Sequence, residues 1–102
     1  MSEGMDEGDI ILTQEIPIAD NETADTLFRK FSEISPRVLL SALDGIVDGT
    51  IIPRAQSQEG ICYTQKFDRS HGELSFLTET AVQIFRKHQA FTSWPGTWTL
   101  LR

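Results

Sequence analysis

Cysteine is nearly missing from this sequence: Cys62 is the only one. No internal disulfide can form, which fits a reducing compartment. A lone thiol between Ile61 and Tyr63 reads as a small apolar residue to be buried, not as a nucleophile. Histidine is almost as scarce. His71 and His88 lie far apart in sequence, in no metal-ligand or triad spacing, so surface or helix-packing roles are expected. There is no glycine-rich phosphate loop. No apolar run approaches the roughly 18 residues of a membrane span. The N-terminus is acidic, with no basic region leading into an apolar one, so it does not read as a secretory signal. Internal repeats and low-complexity segments are absent as well.

What is present is the chain length of about one small domain. The 102 residues are 39% hydrophobic and 24% charged, a composition of soluble globular proteins. The net charge of −6 is unevenly spread. Residues 1–52 hold eleven acids and three bases, for −8; residues 53–102 hold four acids and six bases, for +2. Such a split points to two structural units with different surroundings. The second half is too weakly basic to argue for nucleic acid by itself.

From Asp9 to Ile18 apolar residues alternate in a strand pattern, with Ile10, Leu12, Ile16 and Ile18 on one face. Pro17 donates no backbone hydrogen bond, so the end of that strand is expected at a sheet edge. Thr23 or Asn21 then offers a helix cap, and Glu22 and Asp25 suit the positive end of the helix dipole. An apolar stripe follows from Leu27 to Val47, with a restart or kink expected at Ser35-Pro36 and a stop at Gly49. Residues 50–60 read as a linker, Ile61 to Phe67 as a short strand, and residues 68–76 as a turn into a second capped helix ending near Ala90. After Pro95-Gly96 a last strand contains Trp98 and Leu100, and Trp94 and Trp98 are expected to anchor a core. The first strand lacks a preceding partner, and the sequence stops inside the last one. A piece spanning a boundary between two domains is therefore expected.

The acidic loop in front of the first strand, Glu3 to Asp9, is the chemically suggestive segment. Its carboxylates lack the alternating spacing of a calcium loop. Asp6, between Gly4 and Gly8, has two readings that the residues leave open. It is a turn aspartate bonding its own backbone, or a functional carboxylate at the end of a strand, where open α/β sheets place their ligands.

"EGMDEGDIILTQEIPI" resembles the formyltransferase family that uses 10-formyltetrahydrofolate, which carries a Gly-x-Asp-x-Gly loop followed by a strand. The stretch from Thr23 through "DGT" to Gln56 is similar to the end of the catalytic domain in the branch acting on methionyl-tRNA. Tyr63 and Lys66 match a linker pattern of that branch, and "SWPGTW" matches the entry to its C-terminal domain. Ser75 and Phe76 stand where the family usually has an acid and a tryptophan, Thr92 and Ser93 where it has Asn-Pro, and His71 where an acid is common.

The resemblance implies an α/β fold: the C-terminal part of a Rossmann-like formyltransferase domain (1–52), a linker (53–75), and the first helix and strand of an OB-like β-barrel domain (76–102). It implies Asp6 as the catalytic carboxylate and Glu3, Gly4 and Met5 as lining the 10-formyltetrahydrofolate site, mostly through main chain. No metal is implied. The acceptor would be the amine of initiator methionyl-tRNA, and the full-length protein a cytoplasmic monomer. The asparagine and histidine that complete the family's catalytic trio lie in an upstream region absent from these residues, so the isolated chain is expected to be inactive. Two alternatives accompany this reading: a formyltransferase acting on nucleotide-linked amino sugars, and a non-catalytic tRNA-binding module.

Overall fold

The computed structural model describes residues 4–100. Its elements are helix α1 (Ala24–Val47), a 3₁₀ turn (Arg69–Gly72) and helix α2 (Ala81–Ala90). The contacts divide the chain into two units, one of residues 1–17 and 32–64, the other of residues 18–31 and 65–102. The first turns of α1 thus belong to the second unit and the remainder to the first.

Thr23 begins α1. Its hydroxyl accepts from the Thr26 amide at 3.3 Å, and the Thr26 hydroxyl accepts from the Thr23 amide at 2.9 Å. This is a reciprocal cap in which threonine replaces the usual Glu or Gln. The Thr26 hydroxyl also reaches Glu22 Oε2 at 2.6 Å, and Lys30 pairs with the same carboxylate. That carboxyl titrates below its ordinary range, chiefly because of the Lys30 ammonium and next the Thr26 hydroxyl. α1 continues unbroken past Pro36, so the expected restart does not occur; the proline, which has no N–H to donate, sits within the helix. Gly49, at φ 68°, ends it. The Gly49 amide bonds Ile46 O at 3.2 Å and the Thr50 amide bonds Gly45 O at 2.9 Å, which closes the last turn with two of its carbonyls satisfied. Ile51 folds back onto Gly45, where an added Cβ would stand 2.6 Å from Ile51 Cγ1.

In the second unit, Thr80 caps α2 and shares a reciprocal cap with Gln83. Lys87 ties α2 to the segment before it. It donates to Glu73 O at 2.9 Å and pairs with Glu79, whose carboxylate accepts from the Ser75 amide at 2.7 Å. The rings of Phe67 and Phe91 meet edge to face at 5.2 Å. The Gln89 amide nitrogen donates to Asp20 O at 2.7 Å and Glu22 O at 2.8 Å. Apolar side chains of Leu74, Phe76, Ile84 and Phe85 line a groove of about 460 Å³ rather than closing into a core.

The expected strands do not form among the described residues. Residues 9–18 make one antiparallel bridge, Ile10 with Arg54, and the last segment makes one parallel bridge, Glu73 with Trp98. Residues 61–67 have no regular structure. The alternating pattern is there, but a strand exists only through neighbours that take up its amides and carbonyls. Neither a Rossmann-like sheet nor a β-barrel is built among these residues. For the same reason, among the described residues no aliphatic or aromatic side chain other than that of Pro95 is buried. Cys62, expected inside, is exposed, in a segment without regular structure. Trp94 is 59% exposed and anchors no core. Trp98 is half-buried, and its ring N–H donates to Arg69 O at 2.8 Å.

Candidate functional site

The acidic loop folds as a turn over residues 4–6, followed by the Ile10 bridge. Asp6 stands in the left-handed region, at φ 59°, and is the only non-glycine described residue with positive φ. Few side chains tolerate that region; Asp and Asn are among those that do. A Cβ on Gly4 would meet the end of the Glu7 side chain, which would have to swing aside. The Asp6 side chain is exposed, as is Met5, which is 90% accessible.

A residue fifty positions away holds the turn. The Gln56 amide nitrogen donates to Asp6 O at 2.8 Å and to Gly8 O at 2.6 Å. A carboxamide nitrogen carries two hydrogens, and each has one of these carbonyls as its acceptor. Two residues before Gln56, Arg54 exchanges both backbone hydrogen bonds with Ile10, at 2.8 and 3.0 Å. The bridge therefore fixes the register that delivers Gln56 to the loop. The sequence marks Gln56 only as a match to a family position, and nothing local to it signals this contact.

Of the residues expected at the site, Gly4, Met5 and Asp6 come together in the turn, while Glu3 lies outside the described residues. His71 and His88 belong to the other unit. His71 accepts from the Asp68 amide at 3.1 Å and packs on Phe67. His88 meets the Thr97 hydroxyl at 3.2 Å. Both have structural partners, in keeping with packing roles. Among the described residues no group of three or more His, Cys, Asp or Glu converges on a point where a metal ion would sit. No described helix is long and apolar enough to cross a membrane.

Residues 66–102 match the family described as formyl transferase, C-terminal domain. Over all of its 102 residues the chain is 34% identical to the methionyl-tRNA formyltransferase of Caldicellulosiruptor saccharolyticus. It spans about a third of that protein's length, 32%.

Proposed function

We propose, from its likeness to the formyl transferase C-terminal domain over residues 66–102 and to a methionyl-tRNA formyltransferase over its whole length, that the chain is the segment of a methionyl-tRNA formyltransferase that carries the catalytic carboxylate, Asp6. The parent enzyme moves a formyl group from 10-formyltetrahydrofolate to the amine of initiator methionyl-tRNA. Residues 1–52 close its Rossmann-like catalytic domain, 53–75 form the linker, and 76–102 open its OB-like domain. The protein works in the cytoplasm, as a monomer.

The observation that carries this reading is the conformation of Asp6. A left-handed turn held by a distant side chain presents the Asp6 carboxylate to solvent. Residues held in sparsely populated backbone regions cluster at functional sites. Formyl transfer between two nitrogens forms one C–N bond and breaks another. The attacking amine gives up a proton and the departing nitrogen gains one. A fixed carboxylate can accept the first proton and return it to the second nitrogen. Gly4 and Met5, beside it, would line the folate pocket, together with Glu3.

The test is Asp6→Asn in the full-length enzyme, assayed with methionyl-tRNA and, in parallel, with a nucleotide-linked amino sugar. Asparagine also tolerates the left-handed region, so the turn survives while the proton acceptor is lost. Turnover with methionyl-tRNA is expected to fall by about a hundredfold or more. Near-normal turnover removes Asp6 from the mechanism, and preference for the sugar acceptor refutes the substrate. The isolated 102-residue chain is expected to transfer no formyl group.

A further inference from the structure

We infer that Gln56 is a positioning residue for Asp6, a role that rests on the catalytic reading of that carboxylate. Gln56 touches only backbone, so it acts through the loop and not on the reacting atoms. Its amide nitrogen spans two carbonyls that are two residues apart, on either side of Glu7. That spacing fixes the peptide planes following Asp6 and Gly8. With them it restrains the ψ of Asp6, and so the turn from which the Asp6 carboxylate projects. Gly8 adds backbone freedom that the clamp restricts. The Ile10–Arg54 bridge holds the two segments in register, but it begins beyond the turn and does not dictate the φ of Asp6.

The chain uses the same device a second time. Gln89 donates from one amide nitrogen to Asp20 O and Glu22 O, again two residues apart. That clamp holds the segment leading into α1 and faces no candidate catalytic group. It serves as an internal comparison: the same chemistry, with only a structural duty.

Glutamine suits the task because its amide has two donor hydrogens. A carboxylate at position 56 would set negative oxygens against two carbonyls. A protonated carboxyl would offer one hydrogen where two are needed. Gln56→Glu therefore converts the clamp into a titratable one of nearly unchanged size. Loop geometry and turnover should both decline as that group ionises, and recover in part below its pKa.

The experiment compares Gln56→Ala, Gln56→Glu and Gln89→Ala in the full-length enzyme, with Asp6→Asn alongside. Gln56→Ala is expected to lower kcat between about tenfold and a hundredfold with KM for the acceptor unchanged. Gln56→Glu should acquire an extra ionisation on the alkaline side of its pH–rate profile, and Gln89→Ala should keep the wild-type kcat. In the 102-residue chain, the carbonyl carbon resonances of Asp6 and Gly8 should shift in both Gln56 variants and not in Gln89→Ala. Wild-type kcat in Gln56→Ala, with Asp6→Asn inactive, overturns the positioning role and leaves the catalytic reading standing. Full activity in Asp6→Asn sinks the catalytic reading instead. Equal losses in Gln56→Ala and Gln89→Ala, or a Gln56→Glu profile parallel to wild type, overturn the positioning role by showing a general structural effect.

Discussion

Gly72 lies directly against the Gly96 carbonyl. A Cβ built on Gly72 would overlap that oxygen and stand 3.1 Å from its carbon. The approach lets the Trp98 amide reach Gly72 O at 3.0 Å and the Leu74 amide reach Trp98 O at 2.7 Å. Gly72→Ala is expected to force these segments apart at a cost of about 1–3 kcal/mol, the usual penalty for inserting atoms where there is no space. Faster hydrogen exchange at the Trp98 and Leu74 amides would register it. Unchanged protection there would show that the contact is dispensable.

Acid should loosen the start of α1. The Glu22 carboxyl is held below its ordinary value of 4.5, first by Lys30 and then by Thr26. An acid whose pKa is lowered on folding contributes stability above its unfolded value and loses it as pH falls through the folded one. Helix content should therefore hold above about pH 4.5 and decline below it, followed by far-ultraviolet circular dichroism. Glu22→Gln should lower helix content at neutral pH and flatten this acid limb. A variant with the wild-type acid limb would assign the transition to other groups. Asp68 and Glu79 are also lowered, the first by Ser70 and the second by Lys87, and would be the next suspects.

The described residues leave much apolar surface in water. Val47, Ile52 and Leu77 are at least 85% exposed, and the groove beside α2 is open. The 102-residue chain by itself should bind a hydrophobic dye such as ANS. Its urea transition should be shallower than that of a 102-residue domain with a closed core, because the slope scales with the area exposed on unfolding. A steep single transition with no dye binding would contradict this burial pattern.

Local features were the ones legible in the sequence. Thr23 as a cap, Gly49 as a stop and the second helix ending at Ala90 are all read from neighbouring residues, and each acts where it stands. The strand pattern of residues 9–18 is equally clear as a pattern. Yet pairing depends on a partner, and only Ile10 has one in Arg54. At Pro36 the helix continues where a restart is one of two expected outcomes: a local breaker signal does not by itself end a long helix. At the site, the Gly-x-Asp-x-Gly spacing singled out Asp6. The left-handed backbone and the Gln56 clamp could not be read there, because they depend on a contact between positions 6 and 56. The Lys30–Glu22 pair eluded helix-spacing rules likewise, since Glu22 precedes the helix.

The reach of the Gln56 contact also bears on the order of events during folding. Joining Gly8 to Gln56 closes a loop across 48 positions. Closure entropy must be met before such a contact returns anything, so non-local pairings form late. α1 lies wholly within that loop and depends on neighbours four residues apart. The helix can thus assemble during synthesis, while the Asp6 turn cannot be secured until Gln56 has left the ribosome. Within residues 8–56, the clamp on the Asp6 turn is thus expected to form after the helix that it encloses.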